Sequence, residues 1–234
     1  MGFLEGLKIR RAVYLHGRGK VEEAKAAYTQ LYEAGCVSAV YMLPYCVLLL
    51  REGGQENYRR VKEILEKAEH APDMNPQRRQ EWIVDDAVAR CKLGEMKSAV
   101  ERLEEAHRDK PCGLIYQTLG YLYIEAGDAE KALAYNQEAL DYDDEDSIVL
   151  DNLGQTYYRL LGDKEKAREY FDRAIAIKKN QIDTLYFLSR YDLDAGDKAA
   201  ALEKLRLVAK GKFSPLNYVT KEQATKEIEA LEKA

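Results

Sequence analysis

The chain has 234 residues, of which 46% are hydrophobic and 33% are charged, and its formal net charge is −5. The apolar content suffices for a continuous core, and the negative charge disfavours a nucleic-acid-binding function, which needs a basic surface to displace counterions from phosphates. The four cysteines lack the C-x-x-C spacing of a zinc site and no secretory leader begins the chain, so we expect free thiols in a soluble, cytoplasmic protein without a membrane partner.

Six short patterns follow one another along the chain. Each has a small residue in a predicted first helix, at Ala12, Cys46, Ala87, Gly120, Gly154 and Ser189. Each continues with a predicted turn glycine, at Gly19, Gly53, Gly94, Gly127, Gly162 and Gly196. The steps between equivalent positions settle near 34 residues in the C-terminal half. That period is typical of a helix–turn–helix solenoid, in which each unit buries its face only against its neighbours.

The first two units fit the pattern least well. Lys8 and Arg11 stand at apolar positions of the first unit. Pro44 lies inside the first predicted helix of the second unit, where it removes a backbone hydrogen bond, so we expect a kink or a late helix start. Asn75 before Pro76 predicts a helix N-terminus. The proline-containing stretch 70–79 predicts an irregular joint between an N-terminal block and a regular C-terminal block.

The fourth and fifth units show the clearest pattern. Tyr116-x-x-Leu119-Gly120-x-x-Tyr123 is followed by a Gly-Asp turn, and the same arrangement returns from Leu150 to Tyr157. An extra residue at Leu160–Leu161 predicts a one-residue insertion before the next turn. This arrangement resembles the tetratricopeptide repeat family. The resemblance implies an all-α, right-handed α-solenoid of six repeats, at approximately 5–36, 39–73, 80–112, 113–146, 147–180 and 182–213.

The pattern changes after Pro215. Thr220 and Gln223 form a capping-box signal, and the narrow apolar stripe that follows predicts a C-terminal capping helix within residues 214–234, the thirteenth helix of the chain. The acidic run before Ser147 lacks the glycine and the distal glutamate of an EF-hand. We therefore interpret it as a turn in which Asp146 or Ser147 caps the next helix.

No spacing in the chain indicates catalytic, metal or cofactor chemistry, so we expect neither an enzyme nor a cofactor. The family resemblance instead implies a concave groove lined by the first helices. Residues at the groove offsets of the N-terminal half are almost all apolar: Ile9, Val13, Leu43, Val47, Leu50, Val84, Val88 and Cys91. Those of the C-terminal half are polar or aromatic: Gln117, Tyr121, Asp151, Gln155, Tyr158, Arg159, Tyr186 and Arg190.

We predict an adaptor that binds a peptide segment of an unidentified partner protein along this groove. The apolar residues of the N-terminal half would anchor the peptide, and the polar and aromatic residues of the C-terminal half would fix its register. Several alternatives stay open. Phe3 and Leu4 or a second copy of the chain would cover the apolar half, or a register shift of one residue in the first two units would move their apolar residues into the core. The alternative for the polar residues of the C-terminal half is that they form an ordinary solvated face that binds no partner. The alternative functions are a structural homo-oligomer and a sensor of a small signalling peptide.

Overall fold

The computed structural model describes residues 3–233, except for the side chain of Phe3. This part of the chain contains thirteen α-helices and no β-strand, which confirms the all-α prediction. The helices are α1 Phe3–Gly17, α2 Val21–Glu33, α3 Ala39–Glu52, α4 Gln55–Ala68, α5 Pro76–Lys92, α6 Met96–Asp109, α7 Gly113–Glu125, α8 Ala129–Tyr142, α9 Ser147–Gln155, α10 Lys164–Ile177, α11 Ile182–Asp194, α12 Lys198–Lys210 and α13 Lys221–Lys233. A π-helical segment, Thr156–Leu161, continues α9.

The chain divides into two compact units, unit 1 up to Lys110 and unit 2 from Pro111. The joint expected at residues 70–79 therefore lies inside unit 1. Its prolines do not separate two blocks, because α5 packs against both α3 and α4. The indole nitrogen of Trp82 donates to the carbonyl oxygen of Leu65 (2.8 Å), which ties α5 to α4.

Helix α3 begins at Ala39 and runs through Pro44, so of the two outcomes predicted from Pro44, a kink or a late helix start, the late start does not occur. Its N-terminus is held by the carboxylate of Asp73, which lies in the linker between α4 and α5. Asp73 accepts hydrogen bonds from the backbone N–H groups of Ala39 (2.8 Å) and Val40 (3.3 Å) and from the hydroxyl of Ser38 (2.7 Å). These bonds satisfy donors that the first turn of a helix leaves unpaired, so the helix can begin ahead of the proline.

Aspartate side chains start several helices of unit 2. Asp128 and Asp163 each follow a glycine with positive φ and accept the backbone N–H group three residues on, at 3.1 and 2.9 Å. Asp146 accepts from the N–H groups of Ile148 (2.8 Å) and Val149 (3.3 Å), which confirms the capping interpretation of the acidic run. The predicted Asn75 cap is also confirmed.

The small residues of the first helices mark points of close approach. A Cβ atom added to Gly154 would lie 2.5 Å from the ring of Phe171 on α10. A Cβ atom at Gly120 would lie 2.1 Å from Oδ1 of Asn136 on α8. In each of these two repeats the second helix thus packs against the backbone of the first.

The C-terminal helix α13 packs against α12 and is capped as the sequence predicts. The backbone N–H of Thr220 donates to Oε1 of Gln223 (2.8 Å), and the N–H of Gln223 donates to the hydroxyl of Thr220 (3.1 Å). Ala224 and Val219 bury their side chains with Val208 and two residues of α11. None of the helices within residues 3–233 combines the length and the apolarity needed to cross a membrane.

Candidate functional site

The apolar residues expected in the groove of unit 1 are mostly interior. Leu43, Leu50, Val84 and Val88 are at most 7% exposed, and Val47 is half-buried. They lie on α3 and α5, which pack directly against each other. These residues therefore belong largely to the core of unit 1. Leu4 is 71% exposed and does not cover them, and the side chain of Phe3 lies outside the described residues.

In unit 2 the predicted residues separate into three environments. Gln117 is half-buried. Its side-chain amide donates to the carboxylate of Asp146, and its backbone carbonyl oxygen accepts from the side chain of Asn152. Tyr121, Asp151 and Gln155 are buried. The half-buried members are Tyr158, Arg159, Tyr186 and Arg190.

Six side chains form a continuous row on one face of unit 2, which we call the ladder: Glu125, Arg159, Tyr218, Tyr186, Arg190 and Glu227. At its first end Arg159 forms an ion pair with Glu125 (Nη1 to Oε1, 2.8 Å). The guanidinium of Arg159 also lies 4.2 Å from the ring centroid of Tyr218. Such cation–π contacts contribute about 0.5–1 kcal/mol each at exposed sites.

The second end of the ladder repeats the arrangement in the opposite direction. The ring centroids of Tyr218 and Tyr186 are 5.9 Å apart, and the guanidinium of Arg190 lies 4.4 Å from the Tyr186 centroid. Glu227 on α13 forms an ion pair with Arg190 and accepts from the Tyr186 hydroxyl (3.0 Å). The ladder therefore combines two arginines with two tyrosines, and a glutamate neutralises each arginine.

A buried polar chain supports the ladder from below. Arg159 donates to Oε1 of Gln155 (2.9 Å), whose amide group donates to Oδ2 of Asp151 (2.7 Å). The hydroxyl of Thr184 donates to the other oxygen of Asp151. Gln155 thus satisfies both ends of its amide group within the protein and fixes the direction of Arg159.

The carboxyl groups beneath the ladder are strongly affected by burial. Burial, with the negative charge of Asp183, raises the pKa of Asp151 to about 7. Burial also raises the pKa of Asp183, although this carboxylate accepts from the side chain of Asn217 (2.9 Å) and from the N–H groups of Tyr218 (3.0 Å) and Val219 (3.2 Å). Two buried acids close together resist simultaneous ionisation.

Tyr158 does not join the ladder. Its ring centroid lies 5.0 Å from that of Phe187 and 5.8 Å from that of Tyr191, within an aromatic cluster between α10 and α11. Its neighbour Arg159 belongs to the ladder. Both stand in the π-helical segment that accommodates the inserted residue and changes the direction of the side chains after Gln155.

Sequence reasoning missed three ladder residues. Glu125 stands five residues after Gly120, as Arg159 stands five after Gly154, so the offset that selects Arg159 also selects Glu125. Tyr218 and Glu227 lie beyond the sixth repeat, where no offset applies. Among the described residues, no group of three His, Cys, Asp or Glu side chains is arranged to hold a metal ion.

The chain matches the tetratricopeptide repeat family model at residues 114–146 and 149–181. No curated protein sequence is significantly similar to it. Solved structures show the same fold across most of the chain. A tetratricopeptide repeat protein of Parabacteroides merdae has a TM-score of 0.73 at 12% identity, with 97% of this chain and 84% of that chain covered.

Two further structures are similar. A thermophilic tetratricopeptide repeat protein of Thermus thermophilus has a TM-score of 0.56 at 15% identity, with 98% of this chain and 100% of that chain covered. YrrB, a tetratricopeptide repeat protein with an unusual peptide-binding site, has a TM-score of 0.51 at 23% identity, with 76% of this chain and 88% of that chain covered. Proteins of this family generally mediate protein–protein interactions. The family model thus identifies two tetratricopeptide repeats, at residues 114–146 and 149–181, and the solved structures show that most of the chain has the fold of tetratricopeptide repeat proteins.

Proposed function

We propose that this protein is a non-enzymatic adaptor that binds a peptide segment of a partner protein on the ladder face of unit 2. The ladder carries this proposal. Tyrosine and arginine are enriched among the residues that contribute most to protein interfaces, because they combine a large contact area with directional hydrogen bonds. Here both residue types are partly exposed and already oriented by internal partners, which lowers the cost of ordering them when a partner binds.

The charge of the ladder favours a particular kind of partner. Each arginine is paired with a glutamate, and two further acids lie beneath the row. A strongly acidic peptide would meet these carboxylates, and a strongly basic one would compete with the arginines for their partners. We therefore propose a partner segment with little net charge that presents aromatic and hydrogen-bonding groups.

The unit 1 residues have a smaller role in this proposal. Leu43, Leu50, Val84 and Val88 contribute to the core, whereas Val13, Val47 and Cys91 are half-buried. The peptide-binding site named for YrrB supports peptide binding as a use of this fold. A cytoplasmic location and the possibility of a homodimer stay predictions.

The test is a selection of peptides about twelve residues long from a displayed random library on the folded protein, followed by fluorescence anisotropy with the selected peptide. We expect a dissociation constant in the micromolar range, roughly −8 kcal/mol. Tyr186→Ala combined with Arg190→Ala removes half of the ladder's aromatic and cationic groups, so we expect binding to weaken at least about tenfold.

The matched control is Tyr14→Ala combined with Arg108→Ala, which removes the same residue types from exposed positions in unit 1. Circular dichroism of all three proteins checks that helicity is retained. Equal affinity of the ladder variant and the control variant would exclude the ladder as the binding site.

A further inference from the structure

One segment of the ladder face does not belong to any helix. Residues 211–220 connect α12 to α13, and Tyr218 of this connection stands in the middle of the ladder. Its ring is also stacked on that of Phe187, with centroids 5.1 Å apart. The connection therefore fills the space between Arg159 and Tyr186 with a side chain that the six repeats do not supply.

The connection is held by main-chain and amide donors as well as by its ring. Asp183 accepts from the N–H groups of Tyr218 and Val219 and from the amide group of Asn217, at 2.9 to 3.2 Å. A bound peptide would make contacts of the same kind. These are three hydrogen bonds to the buried carboxylate of Asp183 and, beside them, an aromatic ring placed against the guanidinium of Arg159. The connection thus occupies the ladder face as a ligand would.

A local turn shapes the connection before it reaches the ladder face. The N–H of Asn217 donates to the carbonyl oxygen of Ser214 (3.1 Å), and the N–H of Ser214 donates to Oδ1 of Asn217 (2.6 Å). Pro215 takes the second position of this turn, where its restricted φ is favourable. The recognition groups of residues 217–219 are therefore presented by a short, largely self-contained element.

This element has little buried surface of its own. Of residues 214–220, Val219 alone is buried, and Tyr218 is 40% exposed. The helix that follows, α13, has one buried residue, Ala224. Displacing the ring of Tyr218 from Arg159 would consequently leave most of the packing between α11 and α12 in place.

From this geometry we propose that residues 214–220, which include Tyr218, are an internal ligand of the other ladder residues, and that the partner peptide displaces this segment with equivalent chemistry. The partner would present an aromatic ring to Arg159 and Phe187 and adjacent main-chain N–H groups to Asp183. This inference rests on the proposed function, because it assigns the partner class and the competing segment of the same site.

The test uses the full chain and a fluorescein-labelled peptide with the sequence of residues 212–221. Asn217→Ala combined with Tyr218→Ala removes the side-chain contacts that the internal segment makes with Asp183 and with the ladder, so we expect this variant to bind the peptide at least about tenfold more tightly than the wild type does. A peptide whose tyrosine is replaced by alanine should bind the variant at least about tenfold more weakly, since it lacks the ring.

Lys212→Ala combined with Lys221→Ala is the matched control, because it changes two exposed residues that flank the segment. It should bind the peptide as the wild type does. If Asn217→Ala with Tyr218→Ala lowers the helical signal, Tyr218→Ala alone is measured by the same criterion.

Equal peptide affinity in all three proteins, or no effect of the peptide's tyrosine, overturns the inference. The two proposals fail in different ways. If the library-selected peptide binds the wild type and this binding is lost when Tyr186 and Arg190 are replaced by alanine, the proposed function stands even when the internal-ligand assignment fails. If neither peptide binds any form of the protein, both proposals fail.

Discussion

Among individual residues, the glycine at which the first helix of a repeat meets the second helix determines how closely the two helices can approach each other. The ring of Phe171 lies 2.5 Å from the position of a Cβ atom at residue 154, and Phe171 is fully buried. Protein interiors are close-packed, so a rigid ring at this distance has little space into which it can move. Gly154 is therefore a packing requirement of the fifth repeat.

Gly154→Ala should lower the free energy of unfolding by about 1–3 kcal/mol, because overpacking outweighs the better helix propensity of alanine. Urea denaturation followed by circular dichroism measures the change. Gly113→Ala is the control, since beyond its chain neighbours and the backbone of its own helix no atom lies within 4 Å of the added Cβ. The control should be neutral or slightly stabilising, and an equal effect of the two substitutions would contradict the packing argument.

Among the helical elements, the π-helical segment Thr156–Leu161 separates two neighbouring side chains. It accommodates the residue that lengthens the fifth repeat, and it ends at Gly162 with φ 70°. Tyr158 joins the aromatic cluster between α10 and α11, whereas Arg159 reaches Glu125 and Tyr218. Single π-helical turns often occur at functional sites, because the wider turn changes the direction of the side chains that follow.

Deleting Leu161 should convert the segment into a regular α-helical turn and restore a spacing of 34 residues between Gly154 and Ser189, which now stand 35 apart. Arg159 would then rotate away from Glu125 and Tyr218. We expect the library-selected peptide to bind at least about tenfold more weakly, with helicity retained. Leu161→Ala keeps the chain length and should bind as the wild type does. Unchanged binding by the deletion variant would show that the π-helical segment does not position the site.

Across the whole molecule, each unit buries a carboxyl group. In unit 1 burial, with the nearby charge of Glu81, raises the pKa of Asp85 well above its usual range, and within the described part of the chain its Oδ2 atom has no hydrogen-bond partner. In unit 2 burial and the charge of Asp183 raise the pKa of Asp151 to about 7, and the hydrogen bonds from Thr184 and Gln155 and the charge of Lys178 oppose this shift only in part. In both units the folded protein favours the protonated acid.

The direction of the resulting pH dependence follows from these shifts. An aspartate in the unfolded chain ionises near pH 4, whereas Asp151 stays protonated in the folded protein up to about pH 7. Its stabilising contribution is therefore complete below about pH 4 and is lost as the pH rises towards about 7, by about 1.4 kcal/mol per pH unit. Asp85 contributes in the same direction.

Asp151→Asn should therefore be progressively stabilised relative to the wild type as the pH is raised from about 4 to about 7, because asparagine has no proton to lose. The hydroxyl of Thr184 can accept from the new amide group. Urea denaturation of both proteins across this range measures the difference. The exposed Asp144→Asn is the control and should show no such trend. A constant difference between Asp151→Asn and the wild type would contradict the assigned shift.

Much of the fold could be predicted from residues close together in the chain. The Gly-Asp turns, the Asn75 cap and the Thr220–Gln223 capping box are local arrangements, and the structure reproduces each one. The insertion at Leu160–Leu161 is also visible in the sequence, because it interrupts a regular spacing. The sequence does not show that this insertion forms a π-helix, because the packing of Tyr158 against Phe187 depends on a helix later in the chain.

The helical pairs, their caps and the small residues where helices meet are properties of the sequence alone, since they follow from periodicity and local hydrogen bonding. The accessibility of the groove residues is a property of the tertiary packing. Leu43 and Val84 are buried, while Tyr186 and Arg190 stay half-exposed.

The position of Tyr218 between Arg159 and Tyr186 likewise exists only in the folded molecule. Exposure and contact of this kind depend on how elements far apart in the chain pack together, and neither the repeat period nor any local signal in the sequence encodes that packing.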